Sequence, residues 1–240
     1  ARVIREPWTQ SDLSSIGIKR DITLPEGIDY VHRHADDADI YFMSNQTDNT
    51  ISFVPEFRAV RANKYIADPM TGKVYNAQNQ LTLTAGASLF VVLTDQKIDA
   101  EYMPDMSKYD TAISLDGNKW TVKFEKTGKQ VTTKKLFDWS KADDQSVRFY
   151  SGHATYETTF KYKGKPEGRV FIDLGEVADI ATVYVNGKMC GTAWMPPYNV
   201  DITPAVKKGK NELKIVVVNT WANALQGNDQ GTPPFEGIWT

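Results

Sequence analysis

Ala181-Thr182-Val183-Tyr184-Val185-Asn186-Gly187-Lys188-Met189-Cys190 is the stretch that decides the fold class. Two β-prone runs flank an Asn-Gly pair, and those two residues accept the positive φ angles that a type I′ turn requires, so the segment predicts a tight antiparallel hairpin. Downstream, Asn211-Glu212-Leu213-Lys214-Ile215-Val216-Val217-Val218-Asn219 predicts a further strand launched from a turn at Lys207-Lys208-Gly209-Lys210. Upstream, turn chemistry at Leu115 to Asn118, Lys126 to Lys129 and Lys163 to Lys165 separates short β-prone runs. Short strands punctuated this regularly argue for a β-sandwich.

The first hundred residues also read as β. Ser88 to Thr94 is a continuous apolar run, expected as a central strand, and Leu81 to Thr84 alternates as a half-buried strand does. Ala67 to Lys73 carries Pro early and Gly late, a turn signal. Asp39 to Asn45 and Thr50 to Phe57 flank the polar Gln46-Thr47-Asp48-Asn49, which predicts a hairpin. Pro7 to Leu13 holds helix-start residues and predicts one short helix near the N-terminus. Between Asp95 and Asp110 the pattern breaks into charged residues around Pro104, and the domain boundary is placed there. The expectation is an all-β chain of two β-sandwich domains, residues 1–105 and 106–240, with that short helix.

Composition narrows the function classes. The 240 residues suit two ordinary domains, and 28 basic against 30 acidic side chains leave a net charge of −2, with no global pull toward nucleic acid or an anionic membrane. No run approaches the roughly 20 apolar residues that cross a bilayer. Lysines at 119, 123, 126, 129, 134 and 135 interleave with Trp120 and Phe124, but no nucleic-acid motif accompanies them, so they read as a solvated hairpin face. The single cysteine, Cys190, permits no internal disulfide and reads as a buried structural thiol. No phosphate loop, metal helix or nucleophile elbow is present, so no cofactor is expected, and a structural calcium is not readable. The chain starts at Ala1 without Met, as an excised or processed piece of a longer protein would.

Asp173-Leu174-Gly175-Glu176-Val177, Val183-Tyr184-Val185-Asn186-Gly187-Lys188, Asn199-Val200-Asp201-Ile202-Thr203 and Val206 to Leu213 follow one another in an order that resembles the sugar-binding jelly roll of family 2 glycoside hydrolases. With Arg148 to Tyr156, Trp194-Met195-Pro196-Pro197-Tyr198, Asn219 to Asn223, Tyr30 to Arg33 and Asp39 to Asn45, the chain is similar to the C-terminal β-domains of family 106 α-L-rhamnosidases. The resemblance implies a galactose-binding-like jelly roll in the second domain. It also implies a non-catalytic accessory region, a catalytic barrel elsewhere in the longer chain as partner, carbohydrate as ligand, and a secreted or periplasmic location. The alternative is a β-scaffold that binds no sugar.

Candidate residues are few. Glycoside hydrolysis needs two apposed carboxyl groups. No catalytic pair is assigned here, because thirty acidic residues offer many pairs and single out none. Trp194, Tyr198 and Asn199 are the candidate carbohydrate contacts: rigid aromatics around Pro196-Pro197 suit stacking on a pyranose face, and an amide suits its hydroxyls. The other reading is that the aromatics plug the sandwich end or dock on a neighbouring domain. Asn219, Trp221 and Asn223 fall on one side of an extended chain and share this ambiguity, either contacting sugar or, the favoured reading, capping against a neighbouring domain. His32 to Asp39 concentrates two histidines, Arg33 and three aspartates in what reads as a loop. There, His32, His34 and Asp39 suit a metal or sugar site, or else belong to a solvated loop between domains. By the resemblance, His32 and Arg33 would face the catalytic domain.

Overall fold

The computed structural model, which describes residues 17–104, 109, 113–164 and 168–229, is built almost wholly of antiparallel strands. The chain divides into two units, Ala1–Met106 and Ser107–Thr240. The short helix expected around Pro7 to Leu13 lies outside the described residues.

The first unit contains β1 (Ile22–Thr23), β2 (Ile28–His34), β3 (Ala38–Asn45), β4 (Ile51–Phe53), β5 (Glu56–Phe57), β6 (Asn63–Ala67), β7 (Val74–Asn76), β8 (Leu81–Leu83) and β9 (Ser88–Thr94). One sheet runs β2-β3-β9-β6-β7, and two ribbons, β4–β8 and β1–β5, complete the sandwich. Strict alternation along β3 buries Asp39, Tyr41, Met43 and Asn45. Their face packs with Leu89, Val91 and Leu93 of the central strand β9 against Ile22, Phe53, Leu81 and Leu83 of the ribbons. Each leucine, isoleucine, valine, methionine or phenylalanine among them contributes about 1.5–3 kcal/mol by leaving water.

Two expectations for this unit need correction. The runs 39–45 and 50–57 do not form a hairpin, because β3 lies between β2 and β9 while β4 pairs with β8. The cause is Asn45, only 1% exposed. Its Nδ2 reaches the carbonyls of Asn49, Leu83 and Thr84 at 2.7, 3.0 and 3.0 Å, and its Oδ1 accepts from Thr47 N and Oγ1. These bonds fold residues 46–49 across to the second layer. Nor is the His32 to Asp39 segment a loop: β2 and β3 pair through His34↔Asp39, and only residues 35–37 turn.

The second unit contains β10 (Trp120–Phe124), β11 (Lys129–Thr133), α1 (Gln145–Arg148), β12 (His153–Tyr162), β13 (Phe171–Asp173), β14 (Ile180–Val185), β15 (Lys188–Ala193), β16 (Asn199–Asp201), β17 (Gly209–Val218) and α2 (Ala222–Asp229). Its main sheet runs β11-β10-β12-β17-β14-β15, all antiparallel, with β13–β16 as a separate pair. The Asn-Gly hairpin forms as expected between β14 and β15, with φ of 52° at Asn186 and 80° at Gly187. Trp120 and Phe124 are buried while Lys123 and Lys126 point to solvent, the solvated hairpin face expected there.

Phe124, Trp139 and Tyr150 pack edge to face beneath this sheet, with ring centroids 4.9–5.8 Å apart. Helix α2 lies against this region through Gly227, where an added Cβ would meet Phe149 Cβ at 2.7 Å. The extended path expected from Asn219 to Asn223 does not exist. Asn219 is tied off by Gly152 N and Tyr150 O, and the chain then winds into α2, so alternation stops placing residues on one side. Cys190 is half-buried rather than enclosed, and burial raises its thiol pKa. Among the described residues, no helix is long and apolar enough to cross a membrane.

Candidate functional site

The strand register gathers loops at one end of the second unit's main sheet. His153 begins β12 opposite Val218, the last residue of β17, and Val218 also pairs with Ile180, the first residue of β14. Ala181 pairs with Ala193, so Trp194 leaves β15 at this same end. The segments 149–152, 174–179, 194–198 and 219–221 therefore share one rim. Hydrogen bonds knit them together: Leu174 N donates to Tyr198 O at 3.0 Å, Thr220 N to Asp179 Oδ2 at 2.7 Å, and Ala224 N to Ser151 Oγ at 3.1 Å.

On this rim Trp194 is 49% exposed and Trp221 60% exposed, with Ile180 also open to water. An exposed indole suits stacking on a ligand or docking on a neighbouring surface. Tyr198 and Asn199 are half-buried. Asn199 begins β16, where it pairs with Asp173, and its side-chain amide makes no hydrogen bond among the described residues. Asp173 caps its own loop by accepting from Gly175 N at 2.9 Å. Trp194, Tyr198 and Asn199 thus lie on one loop-to-strand segment, as the sequence spacing implies. Trp221 comes to the rim from β17. Asn223 enters α2, half-buried.

A second assembly lies in the first unit, around a cleft of about 570 Å³ lined by Asp21, His32, His34, Asp39, Arg58 and Arg61 among others. Asp39, 4% exposed, is its hub. Its Oδ1 accepts from His34 Nδ1 at 2.7 Å and His32 Nε2 at 3.1 Å, and its Oδ2 from Arg61 Nε at 2.9 Å. Burial alone would push this carboxyl up, but the three hydrogen bonds outweigh it and hold the pKa at about 2. His32 also meets Asp21 Oδ2 at 2.8 Å, and its ring stacks on Tyr41 with centroids 4.0 Å apart. The Tyr41 hydroxyl is buried without a hydrogen-bond partner among the described residues, and that burial, with the nearby charges of Asp21 and Asp39, raises its pKa above the ordinary tyrosine range. Arg33 lies on the opposite side of β2 from His32, because neighbours on a strand alternate.

Among the described residues, no three metal-ligating side chains are arranged to hold an ion. His32, His34 and Asp39 are spent on one another. Sequence reading found these three but not Asp21, Arg58 and Arg61, which arrive from segments flanking β1 and β5. The mirrored positions of His34 and Asp39 about Ala35-Asp36-Asp37-Ala38 were the available signal for their pairing.

Residues 115–237, just over half of the chain, match the family described as Glycosyl hydrolase 2 galactose-binding domain-like. The chain belongs to this family. That match spans the Asn-Gly hairpin, the rim and α2. Residues 2–81 match a second family, alpha-L-rhamnosidase. Among solved structures, the rhamnosidase from Novosphingobium sp. PP1Y is similar over 94% of this chain at 31% identity and a TM-score of 0.71, so both units share their fold with parts of that enzyme. A curated protein of Formosa agariphila, named "Putative beta-glucuronidase", is 28% identical over 208 residues, 82% of this chain. The chain spans only 23% of the rhamnosidase and 17% of the Formosa protein.

Proposed function

We propose that this chain is a non-catalytic accessory region of a longer glycoside hydrolase of the α-L-rhamnosidase type. In this reading the galactose-binding-like jelly roll binds carbohydrate at its loop rim, and the first unit supports a catalytic barrel elsewhere in the longer protein. The location is secreted or periplasmic, where a polysaccharide substrate is met, and neither nucleic acid nor a membrane is a partner. The observation that carries the reading is the half-exposed indole of Trp194 on a hydrogen-bonded rim, in the same segment as Tyr198 and as Asn199, whose amide makes no hydrogen bond among the described residues. A plug of the sandwich end would bury this indole; a scaffold that docks it on a neighbouring domain is the reading that the binding test separates from sugar contact.

Calorimetry against rhamnose- and galactose-containing oligosaccharides tests this. Trp194→Ala is expected to weaken binding roughly thirtyfold, the scale of an aromatic hot spot, while the melting temperature stays put because the side chain is half in water already. Absence of wild-type binding to all these glycans, or a large stability loss in the mutant, favours the scaffold. The purified chain should turn over no aryl rhamnoside.

The two units are also proposed to fold independently, with the boundary between Asp95 and Asp110. Limited proteolysis in that stretch should release two pieces that each melt cooperatively. Loss of cooperative melting in both pieces contradicts separate cores.

A further inference from the structure

Strand β2 is one edge of the five-stranded sheet, and the bonds it already makes determine which of its backbone groups remain. Gln46 N donates to Gly27 O and Ala35 N to Ala38 O, both at 2.8 Å. In the antiparallel ladder with β3, the odd residues Asp29, Val31 and Arg33 therefore direct their N–H and C=O groups to β3. The even residues turn theirs away from β3: Ile28 N is taken by Pro25 O at 3.4 Å, and Tyr30, His32 and His34 have no backbone partner among the described residues. Edges of this kind are normally blunted by proline, charged side chains, a bulge, brevity or a covering segment. β2 pairs seven residues without a register shift and contains neither proline nor lysine, and its two outward charges, Asp29 and Arg33, are opposite in sign.

Its outward side chains are Asp29, Val31 and Arg33, all exposed, with Val31 at 67%. Neither Asp29 nor Arg33 makes an ion pair among the described residues. The three form a stripe that is complementary to its own reverse. We propose that this edge pairs antiparallel with the same edge of a second copy of this chain, about a two-fold axis at Val31. Val31 then faces the partner's Val31, and Asp29 faces the partner's Arg33 on both sides of the axis. Tyr30 exchanges backbone hydrogen bonds with the partner's His32, the outward backbone groups of both having no partner among the described residues. An axis at Asp29 or Arg33 sets like charges face to face, and one at Tyr30 or His32 opposes a charge to a valine. Only Val31 satisfies both charges and keeps the contact isologous.

Sedimentation velocity on the purified chain over a concentration series tests the proposal. A reversible dimer is expected, weakened by added salt. Asp29→Arg and Arg33→Asp should each raise the dimer dissociation constant by about tenfold or more, since each replaces two attractive cross-strand pairs by two repulsive ones. The double variant Asp29→Arg/Arg33→Asp restores both pairs and should return the constant to near that of the wild type. All three positions are solvent-facing, so circular dichroism should be unchanged. A chain that stays monomeric at several hundred micromolar overturns the proposal. So does a dimer indifferent to the single changes, or one that the double variant does not rescue.

Discussion

Asn211→Ala is expected to destabilise the second unit by about 3 kcal/mol, a loss of roughly 10 °C in melting temperature for a domain of this size. The side chain is wholly buried. Its Oδ1 accepts from Lys207 N and Asn186 Nδ2, both at 2.8 Å, while its Nδ2 donates to Lys207 O at 2.7 Å and Gly209 O at 3.0 Å. Truncation strands these partners. Asn186 in turn donates to Ala205 O and accepts from Glu212 N, so the hairpin turn and the turn before β17 are held by the same pair of amides. Asn211→Leu should recover little, because shape is restored but the backbone groups remain without partners. Asn118→Ala provides the contrast: its amide makes one exposed bond to Thr159 O, and the expected loss is below about 1 kcal/mol. Calorimetric melting of the three variants checks the ranking, and equal losses at 118 and 211 contradict it.

That network explains why the jelly roll was legible from sequence. Asn186-Gly187 is a local statement about φ, and the Asn211-Glu212-Leu213 run that accompanies it is the partner that locks the turn in place. Motif and mechanism coincide. Asn45 illustrates the opposite case. It looks like the end of one hairpin strand, yet it bonds to Leu83 and Thr84, nearly forty residues away, and no local pattern announces that. The polar run after it therefore reads as a hairpin turn when it is a crossing between layers.

The candidate residues divide in the same manner. Trp194, Tyr198 and Asn199 fall within six residues, so it was legible from the sequence alone that one segment carries all three. Trp221 was read as one of an alternating set, and the set dissolves because Asn219 ends the strand with its own side chain. In the first unit, the two histidines and Asp39 were noticed for their density, but the cluster's character depends on Arg61 and Asp21, which only tertiary structure supplies. Without Arg61 the segment resembles a metal site. With it, the carboxylate is already saturated.

Asp39→Ala should therefore act as a stability mutant of the first unit, at a cost of about 2–3 kcal/mol. Removing one member of a fully buried ion pair costs more, about 3–5 kcal/mol, but this cleft is open and solvent reaches part of the cluster. Arg61 retains Asp95 and the carbonyls of Ala35 and Asp36, which further limits the loss. Asp95→Ala is the surface control, its side chain 64% exposed, and should change little. The pH dependence has a definite sign. The Asp39 carboxyl titrates at about 2 in the folded chain, below the value near 3.9 of an unfolded aspartate, so the unfolded chain takes up the proton first as acid is added. The stabilisation is complete above about pH 4 and disappears as pH falls through 2. Wild type and Asp39→Asn, compared by urea unfolding at pH 7 and again near pH 2, should differ clearly at the first and converge at the second. A gap that stays constant across that range would mean that the charge of Asp39 contributes nothing and that only its shape matters.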